Sequence, residues 1–320
     1  MCRKEKAGPE LIVEIRVPAK INLWLEVVRK RVDGYHDLSS LMLPVSVFDH
    51  IRIEAGPDHG PITLDCNVPE VPSNHENLAW RAADLFRKAA GTDLAIHITL
   101  DKSIPSGAGL GGGSADCAGV LLALNSVFDN PLGPAVLDEL ALGLGADVPF
   151  FLHRKPALAT GVGEKLEFLE GVPEYPLLLI KPDLSVPTAW VYQNLKLTRG
   201  SAHITLNRFK ADPWQFGEFV SNDLESVTIP RYPVLSKLKD WLLDRGALSA
   251  SMSGSGPTVF GVFASLEAAR AAEAEAGEAW GNFWVWTARA LGSVDIPAPS
   301  AIASRGRCDC PGAEGSGTRE

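Results

Sequence analysis

Residues 102–115 read Lys-Ser-Ile-Pro-Ser-Gly-Ala-Gly-Leu-Gly-Gly-Gly-Ser-Ala, and five of the seven residues from Gly107 to Gly113 are glycine. Without Cβ atoms, such a backbone can approach a ligand closely and aim successive N–H groups at it. Ile96, Ile98 and Leu100 alternate just before it, as in a half-buried strand, and a helix is expected from Ser114 to about Phe128. The unpaired amides and positive dipole end of that helix suit an anion, so Gly111 to Ala115 are expected to cradle phosphate. Other phosphate motifs fit less well. Gly107, Gly109 and Gly112 satisfy G-x-G-x-x-G, but the preceding strand alternates, Pro105 intervenes, and the loop lies far from the chain start. No Gly-Lys-[Ser/Thr] follows the glycines, as a Walker A loop requires, and no G-x-S-x-G marks a hydrolase elbow.

Outward from this loop, the N-terminal side opens with strands. Val13, Ile15 and Val17 alternate with Glu14 and Arg16, and Ile21, Leu23, Leu25 and Val27 form a second apolar face. Asp33-Gly34 is a turn signal, with further strands near Ser39–Phe48 and Ile51–Ala55. This antiparallel start disfavours a doubly wound parallel sheet. Asn77 looks like the N-cap of a helix ending at Gly91, and Pro134 opens another that closes at Gly145. Beyond Gly161 the order reads strand, helix, strand, strand, helix, strand, with extra helical stretches before Arg245. That is the βαββαβ arrangement of a ferredoxin-like domain. The fold class is therefore α+β with two domains, 9–160 and 161–292. Pro, Gly, Ser and charge dominate 293–320, where a disordered tail is expected.

The chain has 320 residues, long enough for two cores without disulfide or metal staples. Its net charge of −9 disfavours nucleic-acid or anionic-membrane binding as the main activity. Five cysteines, Cys2, Cys66, Cys117, Cys308 and Cys310, show no disulfide framework, and no run of apolar residues is long enough to span a membrane. Cys308 and Cys310 lack partners for a tetrahedral metal site, and no histidine pair has zinc-ligand spacing. Residues Met1 to Glu10 do not read as a signal or transit peptide. A cytoplasmic location is expected.

Three blocks in order, Pro18-Ala-Lys-Ile-Asn-Leu23, the glycine-rich loop with its helix, and Ser253-Gly-Ser-Gly-Pro-Thr258, resemble the GHMP kinase superfamily. Two more, Asp33-Gly-Tyr-His36 and Gly145-Ala-Asp-Val-Pro149, are similar to the branch that phosphorylates 4-diphosphocytidyl-2-C-methyl-D-erythritol in the non-mevalonate isoprenoid pathway. The resemblance implies a ribosomal-protein-S5-like N-terminal ATP-binding domain with a left-handed βαβ crossover, a ferredoxin-like C-terminal domain, and a substrate cleft between them. It implies ATP as phosphoryl donor, with Mg²⁺ bound mainly through the ATP phosphates. The partners it implies are small molecules, for a chain that is a monomer or weak homodimer.

Roles carried by the resemblance can each be set beside a plainer one. Asp147 is the expected general base, though an aspartate before Pro149 is often a helix cap or turn residue. Lys20 is its expected electrostatic partner; by strand alternation alone it would be a solvated lysine. Tyr35 and His36 are expected to stack on and hydrogen-bond a cytosine, with Thr188 and Tyr192 on one face of a following helix and Asn22 on the Lys20 strand face. Pro105, Ser106, Gly107, Ala108, Gly109, Leu110, Gly111, Gly112, Gly113, Ser114 and Ala115 form the expected ATP loop. Asn77 and Lys102 match positions near adenine, against the alternatives of a helix cap and a strand-end lysine. Ser114 suits an N-cap as well as phosphate or Mg²⁺ contact. Gly254 and Gly256 are placed to meet phosphate from the other domain, or simply form a glycine-rich hairpin. Asp116 stands where some relatives carry Asn, and two readings remain: assistance to Mg²⁺, or a solvent-facing side chain. Rival functions are a kinase for homoserine, mevalonate or a sugar, and a noncatalytic nucleotide-binding protein. A nicotinamide dehydrogenase is more remote.

Overall fold

The computed structural model describes residues 11–197, 206–214, 219–292 and 300–302. Cys2, Cys308 and Cys310 lie outside them. β1 (Leu11–Lys30) begins as the alternating strand expected from sequence, but every residue from Val17 to Val27 is buried. Both faces of this second half are covered, which is why Lys20 sits inside rather than in solvent. β2 (His36–His59) is one long strand where two shorter ones were expected. It pairs antiparallel with β1, with register irregularities at Pro18/Ala19, Asn22/Trp24 and Val27/Arg29. Bulges of this kind bend long strands, so β2 serves two neighbours: β5 (Ala157–Gly161) near its start and β4 (Leu94–Asp101) near its end.

β3 (Ile62–Cys66) was not apparent from sequence. It runs parallel to β4, joined through α1 (Leu78–Ala90). α2 (Gly112–Val127), α3 (Pro134–Leu144) and α4 (Val148–His153) follow; β6 (Lys165–Phe168) pairs with β5. α2 starts two residues before the expected position, with Gly111 as its N-cap (φ 73°), so Ser114 is not a cap. Val13, Ile51, Ala82, Phe86, Ile98, Leu121 and Phe150 belong to one apolar cluster between these helices and the sheet.

The C-terminal half contains β7 (Pro176–Lys181), α5 (Thr188–Asn194), α6 (Leu206–Ala211), β8 (Ser221–Asn222), α7 (Glu225–Arg231) and α8 (Val234–Asp244). β9 (Ser249–Met252), β10 (Val259–Val262), α9 (Leu266–Trp280) and β11 (Trp284–Arg289) complete it. Its sheet has the antiparallel order β11-β7-β10-β9, matching the expected ferredoxin-like topology. Strand alternation gives this sheet two buried faces. Leu178, Ile180 and Val259 pack under α8 and α9, while Leu177, Leu179, Phe260 and Val262 join Ile21, Leu23, Leu43 and Leu110 of the N-terminal half. The second cluster is an apolar seam between the domains, and the site lies along it.

The expected disordered tail needs a correction. β12 (Ser300–Ile302) pairs antiparallel with Ile12–Glu14 of β1. The exposed β1 edge can accept a strand regardless of side chain, so composition alone missed it. The remainder of 293–320 lies outside the described residues.

Candidate active site

The glycine-rich loop is clamped by both domains. Lys20 N donates to Leu110 O (3.0 Å) and Thr258 N to Ala108 O (3.2 Å), while Ser253 Oγ donates to Gly109 O (2.9 Å). Gly109 has φ +77°, and a Cβ there would lie 2.2 Å from the Ser253 carbonyl oxygen. At Gly111, φ +73°, a Cβ would sit 2.5 Å from the Phe151 ring. Both positions therefore require glycine for close approach as well as for backbone conformation.

Helix geometry leaves the Gly112, Gly113 and Ser114 amides without intrahelical acceptors. The Ala115 amide is bound to Gly111 O at 2.9 Å, so of the amides expected to meet phosphate this one is already satisfied. Pro105–Gly109 and Gly111–Ser114 line a cavity of about 410 Å³, together with Asn77, Leu78, Lys102 and Asp116. Leu110 and Ala115 face the core instead. Asn77 caps α1, accepting from Ala79 N (2.8 Å) and donating to Pro72 O (2.7 Å).

Beneath this cavity lies a buried cluster. Lys102 Nζ donates to Asp49 Oδ2 (2.5 Å) and Asp116 Oδ2 (2.6 Å), and Asp49 Oδ1 accepts from the Ser103 and Ile104 amides (2.7 and 2.8 Å). Asp116 is thus not solvent-facing: its Oδ2 is held by Lys102, while its Oδ1 is buried without a hydrogen-bond partner at the cavity it lines. Burial raises the Asp116 pKa to about 7, with Asp49 adding to the effect and Lys102 opposing it. Burial also disfavours charge on Lys102, but Asp116 and Asp49 outweigh it and leave that pKa raised.

Across the loop, Lys20, Asn22 and Asp147 line a second cavity of about 200 Å³ with Ser40, Thr188, Tyr192, Gly254 and Ser255. Lys20 Nζ donates to Asn22 Oδ1 (2.6 Å) and lies 3.9 Å from Asp147 Oδ2. Burial lowers the Lys20 pKa, partly offset by Asp147. Asp147 precedes α4, but its side chain makes no capping bond. Its carboxylate is partly exposed, so it can meet a hydroxyl brought into the cavity.

A third cavity, of about 450 Å³, adjoins the second through Leu38, Val162, Thr188 and Tyr192. Tyr35 and His36 line it. Tyr35 is 66% exposed, whereas His36 is buried with its ring 5.4 Å from that of Tyr192, tilted by 31°. Burial, then the charge of Lys30, lowers the His36 pKa and keeps the imidazole neutral near pH 7. Burial, then Asp147, raises the Tyr192 pKa, keeping its hydroxyl protonated. All five expected substrate residues therefore line two adjoining cavities, the inner of which contains Asp147.

Profiles of the GHMP kinases N terminal domain and GHMP kinases C terminal match residues 77–155 and 210–282. The chain is 46% identical over 271 residues to the 4-diphosphocytidyl-2-C-methyl-D-erythritol kinase of Citrifermentans bemidjiense, covering 85% of this chain and 96% of that protein. It is 45% identical over 260 residues to the like-named protein of Geotalea daltonii, covering 81% and 92%. The chain belongs to the 4-diphosphocytidyl-2-C-methyl-D-erythritol kinase family. A crystal structure of 4-(cytidine 5'-diphospho)-2C-methyl-D-erythritol kinase superposes with a TM-score of 0.75 at 38% identity, covering 87% of this chain and all of that one. As a member of this kinase family, the chain is a small-molecule kinase that uses ATP.

Several residues of this family member's site were missed from sequence. Ser40, Asp49 and Asn222 are isolated polar residues in otherwise ordinary segments. Asn222 Nδ2 donates to Met252 O and Gly254 O (2.7 and 2.8 Å), holding the Ser253–Thr258 block in place. Ser253 and Ser255 were in a quoted motif but had no assigned role; Ser255 Oγ lies 2.8 Å from Thr188 Oγ1. Alternation and motif spacing carry no signal for such bonds between distant segments of the chain.

Proposed function

We propose that the chain transfers the γ-phosphate of ATP to a hydroxyl of 4-diphosphocytidyl-2-C-methyl-D-erythritol, yielding the 2-phosphate for non-mevalonate isoprenoid synthesis. The observation that carries this reading is the Tyr35–His36–Tyr192 cavity opening beside Asp147 and Lys20. A nucleobase in the outer cavity would leave the rest of an elongated substrate to run inward toward the carboxylate. Mevalonate or homoserine offers no base for those aromatic groups.

The ATP phosphates occupy the α2 N-terminus, held by the Gly112, Gly113 and Ser114 amides. Asp147 takes the proton of the attacking hydroxyl as its oxygen bonds to the γ-phosphorus and the bridging bond to ADP breaks. A base so placed contributes about 10²–10⁴-fold. The Lys20 ammonium stabilises charge on the transferring group. Neutral His36 can hydrogen-bond the cytosine edge while Tyr35 and Tyr192 contribute aromatic surface.

Among the described residues, no cluster of three or more His, Cys, Asp or Glu side chains could hold a metal. Mg²⁺ would enter with the nucleotide phosphates, where the Ser114 hydroxyl at the cavity wall could add an oxygen ligand. Bound there, Mg²⁺ would supply neutralising charge to the transferring phosphoryl group. We place the enzyme in the cytoplasm as a monomer or weak homodimer. No helix among the described residues is long and apolar enough to cross a membrane.

Tyr35→Ala tests the substrate reading. KM for the cytidyl substrate should rise about 5- to 150-fold, the equivalent of losing one base–aromatic stack, while KM for ATP stays unchanged. Equal effects on both constants would make Tyr35 a structural residue and remove the aromatic recognition argument.

A further inference from the structure

A short relay stands behind the Lys20 ammonium. Ser40 Oγ donates to Trp24 O (2.8 Å), and Asn22 Nδ2 donates to Ser40 Oγ (2.8 Å). Asn22 Oδ1 then accepts from Lys20 Nζ. The direction of this chain is forced by its far end. A carbonyl can only accept, so Ser40 gives its single hydroxyl proton to Trp24 and turns a lone pair toward Asn22. That lone pair selects the amide NH₂, leaving the amide oxygen for Lys20. Lys20, Asn22 and Ser40 are all at most 5% exposed, so water offers little compensation for a broken link. The irregular pairing between Asn22 and Trp24, against Met42 and Leu41, brings the Trp24 carbonyl and Ser40 together at this point.

We propose that Ser40 is a positioning residue for phosphoryl transfer, fixing the Asn22 amide so that its oxygen aims the Lys20 ammonium toward Asp147 and the transferring phosphate. This proposal rests on the role assigned to Lys20 above. Without the Ser40 hydroxyl, the Asn22 amide loses the acceptor that sets its direction. With only its Lys20 end still tied, the amide can swing out of line, which misaims Lys20 and weakens the hydrogen bond that favours its charge.

The test is steady-state kinetics of the full-length enzyme with ATP and the cytidyl substrate, with melting temperatures measured in parallel. Ser40→Ala should lower kcat by about 10- to 100-fold, as for loss of a hydrogen bond to a charged group, with KM for ATP unchanged. The alkaline limb of its kcat–pH profile should move to lower pH. Ser40→Thr, which retains the hydroxyl, should recover most of the lost kcat and restore the limb. In an Asn22→Ala background, Ser40→Ala should add little, because both act through the same link.

Unchanged kcat and pH profile in Ser40→Ala would overturn the proposal. So would equal impairment in Ser40→Thr, additive losses with Asn22→Ala, or an isolated rise in KM for the acceptor. Lys20→Met separates the proposal from its foundation. An active Lys20→Met enzyme removes the assigned Lys20 role; an inactive one beside a normal Ser40→Ala enzyme removes only the role of Ser40.

Discussion

Burying a lysine beside a single carboxylate incurs a desolvation cost that an isolated pair seldom repays. Lys20 bears that cost with one short hydrogen bond to Asn22 and a looser approach to Asp147. The looser geometry leaves Asp147 available to an incoming hydroxyl instead of locking it in a tight pair. Asp147→Asn should retain ATP binding and lose about 10²–10⁴-fold in kcat; stopped-flow nucleotide binding and steady-state turnover measure the two separately. A near-normal kcat would remove Asp147 as the base. At this scale the motif residues were legible in the sequence, including Lys20, Asp147, Tyr35 and His36. Their surroundings were not. Alternation along β1 put Lys20 toward solvent because a single strand cannot reveal that the glycine-rich loop at Gly111 and the Ser253–Thr258 block at Gly254 close over that face. Asp116 was similarly ambiguous, since its partners Asp49 and Lys102 lie 67 and 14 positions away and meet it only in the folded chain.

The glycine-rich loop is held as an element between two anchors. One is the Ser253–Thr258 block, which meets Gly109 so closely that a methyl group has no room. Gly109→Ala should therefore weaken ATP binding by more than about tenfold, combining left-handed backbone strain with collision against a fixed carbonyl. Nucleotide titration checks this, and unaltered affinity would show that the loop can yield. The other anchor is the Asp49–Lys102–Asp116 cluster. Asp116 titrates near 3.8 when unfolded and near 7 when folded, so between those values the folded state binds more protons. Its contribution to stability is present at low pH and declines as pH rises from about 4 to about 7. Asp116→Asn should make the change in unfolding free energy across this window less negative than in the wild type. Parallel slopes for the two proteins would exclude this proton linkage. The glycines announced the loop, and the helix after it was expected nearly in register. Its start was misplaced because Ser is a good cap by type, whereas Gly111 alone fits the left-handed conformation between Phe151 and Lys20.

Over the whole molecule, the two domains share an apolar seam that fixes their relative placement. Leu177, Leu179, Phe260 and Val262 supply one side, and Ile21, Leu23, Leu43 and Leu110 the other. The ferredoxin-like half was readable because short apolar strand runs and helices follow one another in a regular order. Short β3, β5 and β8, and the terminal β12, were not apparent, since such segments depend on pairing with distant chain more than on local pattern. The seam puts the glycine-rich loop, the Lys20–Asp147 pocket and the aromatic cavity side by side, and the proposed reaction depends on all three. The most direct measurement is ADP release from Mg-ATP with 4-diphosphocytidyl-2-C-methyl-D-erythritol, its uridyl analogue, mevalonate and homoserine as acceptors. Turnover confined to the cytidyl compound is the predicted result. Turnover only with another acceptor, or ATP binding without turnover on any of them, would contradict the account.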